Sequence, residues 1–402
     1  MRRIACALLL CALPAAAQSA AEAYAREIAT GVQLFHDGKY DEAALNFARA
    51  RQLDPADWRG HAWHAMALVQ QALDEQQDAV RRSDLLRQGE KIASDLIKRA
   101  GLGFTDPLYE YIMGVIASVR NDDPAALTLL KKAATAPRER YAPYQDILLR
   151  LNARRAYAKA STRIATRLIV IGEFEEADKY LAIADRNLPK DDPARQMLER
   201  KMGVVAEYLG RLEEAVQHLR TCIALNKDRP EVKLELTGSI AMIWFAAEKL
   251  EKGKAALAEL PANCTHPEVL VARAMLLYKE AMRDPGGPVM DKAIAYHLQV
   301  MDQLAAEDVY RLAEQFADLV MEKVTPRDLE DNKALVEKTV ALVQRELKRR
   351  PECPGLYFAL YRLYKLLGND ERASFYQGIH ARKKKEWEHK EQYDQRGRPR
   401  CR

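Results

Sequence analysis

Apolar and small residues recur along this chain at helical spacing, interrupted by short polar turns. The stretch FHDGKYDEAALNFARARQLDP, Phe35 to Pro55, shows the unit. Its apolar positions fall on one face of an amphipathic helix, and a glycine sits in the polar turn before DEA. Gly31 and Ala43 stand twelve residues apart, and the same interval separates Gly114 from Ala126, Ala165 from Ala177 and Gly203 from Ala215. Ala241 and Gly253 repeat it more weakly. Four residues beyond each second member comes a bulky group: Phe47, Leu130, Leu181, Leu219 and Leu257. Three further on stand Ala50, Ala133, Ala184 and Cys222, with Leu260 as the departure. Each unit therefore predicts two helices joined by a short turn. The small residues mark where the helices cross, and the bulky one fills the space beside them. Gly38, Gly172 and Gly210 fall in the turns, where a helix end calls for positive φ.

GKYDEAALNFARARQLDP, GEFEEADKYLAIADRNLP and GRLEEAVQHLRTCIAL resemble the second helix of tetratricopeptide repeats, whose helix–turn–helix unit is about 34 residues long. The resemblance covers much of residues 22–260, and GLYFALYRLYKLLGNDERASFY is a fainter copy near the end. It implies an all-α fold: an α-solenoid of stacked helix–turn–helix repeats, wound as a right-handed superhelix, over residues 18–381. The clearest repeats are expected at about 24–57, 107–137, 158–190 and 196–228, with weaker ones at 234–262 and 354–380. A lone repeat cannot bury its apolar face, so the units are expected to stack as one continuous array. Ala43 and Ala126 are 83 residues apart, which leaves room for a divergent pair in WRGHAWHAMALVQQALDEQQDAVRRSDLLRQGEKIASDLIKRAG. APYQDILLRLNARRAYAKASTRIATRLIVIG is longer than a standard first helix, and RDPGGP breaks the pattern.

The first residues read differently. MRR is a basic start, IACALLLCAL is apolar but too short to span a bilayer, and Ala15 and Ala17 suit a cleavage site. This is the three-part plan of a secretory signal, cut after Ala17, and it predicts a periplasmic or secreted protein. Cleavage removes Cys6 and Cys11 and leaves Cys222, Cys264, Cys353 and Cys401, none in C-x-x-C spacing. An exported chain can oxidise them. Cys222 reads as a small core residue.

Charge is uneven. The segment 382–402, RKKKEWEHKEQYDQRGRPRCR, carries nine Lys or Arg against four Asp or Glu, while the rest of the mature chain is close to neutral. A nucleic-acid face along the whole array is therefore not expected. The basic tail is a candidate contact for an anionic envelope surface, through Lys383, Lys384, Lys385 and Trp387.

No catalytic motif stands out. The chain lacks H-E-x-x-H, the G-x-x-x-x-G-K-[ST] phosphate cradle and the G-x-S-x-G elbow, and GLGFTD lacks the third glycine of a dinucleotide loop. HAWH puts His61 and His64 on one helical face without an evident third ligand, so these read as partly exposed helix-start histidines and not as a metal site. Glu175–Glu176 and Glu213–Glu214 open helices, where they complement the helix dipole. No cofactor is expected.

Function is then expected from a surface. By the resemblance, first helices line a concave groove, and Ile28, Val32, Phe35 and His36 are its positions in the opening repeat. Three of these are apolar, which suits an amphipathic helix or an apolar peptide; packing against a neighbouring helix explains them as well. Some members of the family clamp a carboxylate tail with Lys and Asn where Ile28 and Val32 stand here, so this repeat departs from that clamp. The expected function is a non-enzymatic scaffold of the bacterial cell envelope with a protein partner. An envelope enzyme subunit, or a carbohydrate-binding array using Trp58, Trp63 or Trp244, is the alternative.

Overall fold

A computed structural model describes residues 15–75, 77–100, 106–137, 139–140, 147–304 and 309–387. The described residues hold eighteen α-helices and no strand. The leader through Pro14 lies outside them, as do GLGFT and residues 388–402.

The chain groups into two compact units, divided within the seventh and eighth helices. The first unit is residues 1–163 with 183–189. It contains α1 (Ala15–His36), α2 (Tyr40–Leu53), α3 (Trp58–Asp74), α4 (Ala79–Ala100), α5 (Pro107–Val119) and α6 (Asp123–Thr135). The front of α7 (Ile147–Ile171) and the end of α8 (Phe174–Asn187) complete it. Neighbours pair as α1 with α2, α3 with α4 and α5 with α6, and α3 packs on both α1 and α5. The pair α3–α4 fills the gap in which the sequence places a divergent unit. The core of this unit runs through Phe47, Val69, Leu96, Ile112 and Leu130.

The second unit takes the remainder of α7 and α8 and all that follows. Its hairpins are α9 (Arg195–Tyr208) with α10 (Leu212–Leu225), α11 (Pro230–Ala246) with α12 (Leu250–Ala258), and α13 (Pro267–Arg283) with α14 (Pro288–Gln303). Then come α15 (Tyr310–Lys323) with α16 (Leu329–Arg349) and α17 (Pro354–Leu366) with α18 (Asp370–Trp387). First helices also stack on one another, α11 on α13, α13 on α15 and α15 on α17. RDPGGP is no boundary: it is the turn between α13 and α14, with Gly286 at φ 89°.

Six hairpins close with one and the same turn. Gly38, Asn121, Gly172, Gly210, Glu248 and Gly368 all have φ between 58° and 85°. At each, the N–H of the turn residue donates to the carbonyl three residues back, and the next N–H donates to the carbonyl five back. Gly38 to Phe35 and Lys39 to Leu34 are the first such pair, at 3.2 and 2.9 Å. This pair of hydrogen bonds satisfies carbonyls that a helix end leaves open. The six turns fall inside the six stretches singled out from the sequence.

Counted from these turns, the small residues meet bulky ones as their spacing predicts. A Cβ added at Gly31 would lie 2.5 Å from the Phe47 ring, one at Gly114 2.7 Å from Leu130, and one at Gly203 3.1 Å from Leu219. Ala43, Phe47, Ala126, Leu130, Ala177 and Leu181 have no exposed surface. Roles are exchanged in α11–α12, where Phe245 of the first helix presses on Gly253 of the second. The described helices are thus stacked hairpins with the geometry of tetratricopeptide repeats. None of them is long and apolar enough to cross a membrane.

Candidate functional site

The positive-φ turn residue supplies a common register for the first helices. Ile28, Val32, Phe35 and His36 lie ten, six, three and two residues before Gly38. Ile28, Val32 and Phe35 are half-buried and pack on the core of their own unit. The Phe35 ring meets Tyr40 edge-on at 5.1 Å and Trp63 at 5.4 Å, while His36 is exposed. In the opening hairpin the apolar part of this face is therefore largely spent on the core of its own unit.

The same count before Gly368 gives Phe358, Arg362, Lys365 and Leu366. With Tyr361 and with Met321 of α15, these residues line an open groove of about 390 Å³. The helix that carries them is built for two faces. Pro354 starts α17 at a position where a missing N–H costs nothing. Leu356, Tyr357, Leu360, Leu363 and Tyr364 are buried against neighbouring helices. Phe358, Tyr361, Arg362 and Lys365 stand at intervals of three, four and seven, so they form the opposite stripe. Phe358 is 41% exposed, unusual for a phenylalanine in a helix so well packed.

Polar contacts fix the groove. Arg362 donates to Asp318 of α15 at 2.8 Å, and its guanidinium stands 5.9 Å from the Phe358 ring. The Tyr278 hydroxyl lies 3.5 Å from the same carboxylate. His380 of α18 donates through Nδ1 to the Pro354 carbonyl at 2.9 Å and lays its ring 5.1 Å from Phe358. Lys365 is exposed, 6.0 Å from the centre of the Tyr361 ring, and makes no ion pair among the described residues. Behind the groove, burial and then the charge of Asp318 push Glu314 up to about 7, and its carboxylate leaves no room for a side chain at Gly355. Burial likewise raises Asp318, although Arg362 pulls the other way. The arrangement offers cations beside aromatic rings over an apolar floor, chemistry suited to holding a chain segment.

Other candidates fall elsewhere. His61 is fully buried, with Nε2 3.1 Å from the Pro55 carbonyl, and not partly exposed as the sequence suggests. Its helix is covered by α1, α2, α4 and α5 at once. His64 is held down to about 4 by burial, then by the charges of Arg51 and His61. Among the described residues no group of three His, Cys, Asp or Glu is placed to hold a metal ion. Trp63 stacks on Phe47 at 5.7 Å, and Trp244 is buried with Lys252 4.5 Å above its ring. Cys222 is buried and free, Cys264 is free, and Cys353 is disulfide-bonded. Glu175, Glu176, Glu213 and Glu214 do occupy first turns, of α8 and α10. Lys383, Lys384 and Lys385 lie on α18, Lys383 half-buried and the other two exposed, and Trp387 ends that helix. The helix therefore runs six residues into the stretch read as a tail.

The groove of α15 and α17 was not singled out from the sequence. Its signal is present: the register that selects Ile28 and Val32 selects Phe358 and Arg362 when counted from Gly368. Tyr361 obscures it, because it replaces the small residue that announces the other hairpins.

No protein-family profile matches the chain, and no curated protein does. Solved structures of low identity are similar to it. Yeast Tom70 is 14% identical over 91% of this chain and 96% of its own, with a TM-score of 0.38. A Rap protein complexed with competence and sporulation factor is 13% identical over 91% and 98%, with a TM-score of 0.34. Pseudomonas aeruginosa pilF is 13% identical over 76% and 100%, with a TM-score of 0.25. The repeat assignment rests on the six turns and their crossings, not on these likenesses.

Proposed function

We propose that the protein is an exported, non-enzymatic interaction scaffold of the bacterial cell envelope, holding a partner peptide or domain on the face of its first helices. One observation carries the reading. The register that gives three half-buried apolar residues and an exposed histidine in α1 gives an open groove of aromatic and cationic side chains in α17. A first-helix face that stays open while the rest of its helix is tightly buried is a surface kept for a partner.

Export is supported by the basic start, the short apolar run and the Ala15–Ala17 site. The disulfide at Cys353 fits an oxidising compartment. Mature protein from its native host should begin at Gln18. An intact Met1 on a cytosolic product would remove the envelope from this reading.

Site-specific photocrosslinking in the native cell tests the scaffold. A crosslinker at position 365 of α17 should capture a discrete protein, and one at exposed position 338 of α16 should not. Equal, diffuse adducts from both positions, or none from any first-helix position, would overturn it.

A further inference from the structure

We infer that the groove between α15 and α17 takes an acidic protein segment that carries an apolar anchor residue. This deepens the scaffold reading above and rests on it.

Charge points to the first half of that description. Residues 354–387, the α17–α18 hairpin, hold seven Lys or Arg against three Asp or Glu. Residues 18–353 hold 49 against 52. Four of the seven, Arg382 to Lys385, stand in the last turns of α18, so the charge local to the groove is that of α17. α17 itself carries Arg362 and Lys365 and no acidic residue. Arg362 shares its charge with Asp318, whereas Lys365 is exposed without an ion pair among the described residues. Lys365 is the cation on offer, and an incoming carboxylate is the group that completes it.

The lining points to the second half. Phe358, Tyr361, Met321 and Leu366 give the groove an apolar floor. Its volume of about 390 Å³ suits a few side chains, not a domain. An aromatic that stays 41% exposed at such a floor is the kind of residue on which binding energy concentrates. His380 and Arg362 flank the Phe358 ring, so that ring is held in place before anything binds.

The α15 side argues against a polyanion. Asp318 stands three residues before Met321 and four before Glu322, so α15 carries two carboxylates beside the groove, Glu322 about 100° round the helix from Met321. A nucleic-acid strand would carry phosphates along that wall, where carboxylates repel them. A peptide with carboxylates toward Lys365 and an apolar side chain toward Met321 meets neither obstacle.

The test uses the full mature chain and three fluorescein-labelled peptides: one of Glu and Asp interspersed with Leu and Phe, one with Lys in place of the acids, and one with Ser in place of the apolar residues. Only the first should bind by fluorescence anisotropy. Phe358→Ala should weaken it about tenfold, as loss of an aromatic anchor does. Lys365→Glu should weaken it about tenfold at low salt and less at high salt, because exposed charges are screened. Lys338→Glu on α16 should leave it unchanged. Circular dichroism melts confirm that each variant is folded, and Phe358→Leu serves if Phe358→Ala is not. Equal binding of the Ser peptide, affinities indifferent to both groove substitutions, or displacement by a single-stranded thymidine oligomer would overturn the inference. So would no binding of the first peptide. The scaffold reading fails separately, on crosslinking: a discrete adduct at position 365 with no affinity for the acidic peptide would keep the scaffold and discard this partner.

Discussion

Gly31 and Phe47 occupy one space: a methyl group on residue 31 would stand 2.5 Å from the edge of the Phe47 ring. The ring has no exposed surface and lies where α1 and α2 cross. One residue is small because the other is large, and the pair is what holds the two helices at close approach.

Gly31→Ala should therefore cost about 1–3 kcal/mol by overpacking, although alanine in an ordinary helix interior gains roughly 1 kcal/mol over glycine. Gly114→Ala should behave alike, with Leu130 at 2.7 Å. Gly203→Ala should cost less, since Leu219 at 3.1 Å yields a few tenths of an ångström. Phe47→Ala leaves a void and should cost about 3–5 kcal/mol. Urea unfolding followed by circular dichroism ranks the four. A Gly31→Ala protein more stable than wild type would refute the crossing.

The shared turn makes a second prediction, of opposite sign. Glu248 sits at φ 58°, where an L side chain is strained. Glu248→Gly should stabilise the α11–α12 hairpin by about 1 kcal/mol. The ion pairs it forfeits with Lys279 and Arg283 are exposed and worth little. Gly210→Ala, at φ 74°, should destabilise by about 1–2 kcal/mol. Melting temperatures of both variants decide it, and two shifts in the same direction would count against the common turn.

These two predictions mark what the sequence makes legible. The Gly31–Ala43–Phe47 spacing can be read because size complementarity leaves a trace in residue type. Asn121 and Glu248 cannot be read as turn residues, since nothing in an asparagine or a glutamate announces positive φ. His61 cannot be read as buried because its helix is covered on several sides by neighbouring helices, and no residue type at position 61 announces that tertiary packing. The α17 groove is obscured by Tyr361, which stands in sequence where the other hairpins carry a small residue, and by Arg362 and Lys365, which look like an ordinary polar face.

Two histidines give the protein pH dependences of opposite sense. The Glu199 hydrogen bond to His218, 2.7 Å long, outweighs burial and raises the His218 pKa above 6.5, with Glu214 helping from 3.7 Å. Its contribution is complete below pH 6.5 and is lost as pH rises through the folded value. Burial raises Glu199, but the His218 bond and Arg195 outweigh it, so that carboxylate stabilises above about 4.5 and fails toward acid. His64, held down to about 4, resists protonation in the fold; stability is lost as pH falls from 6.5 toward 4. His218→Gln should flatten the alkaline side of the stability profile, and His64→Gln the acid side. Denaturation at a series of pH values shows whether the two changes fall on different sides, and changes on one side would refute the pairing.

The basic end provides the last prediction, because α18 divides its cations. Arg382 to Lys385 ride on the helix, and the other five Lys or Arg of 382–402 follow it. Three consecutive lysines on a helix point about 100° apart, so they cannot all face one plane. A flat anionic surface would meet one or two of them together with the segment beyond. A chain ending at residue 387 should thus keep part of its binding to anionic vesicles, and a chain ending at 381 should lose the rest. The buried Ala373 and the packed Tyr376 precede both cuts, so each protein should keep its fold and, compared under reducing conditions because both cuts also remove Cys401, melt within a few degrees of wild type. Binding by all three should fall steeply with salt, over the screening length of about 10 Å at 0.1 M. Co-sedimentation across a salt series measures this. If the cut at 387 already abolishes binding, the helix cations contribute nothing to the contact. If the cut at 381 unfolds the last hairpin, those residues serve as the cap of the array and the surface contact lies elsewhere.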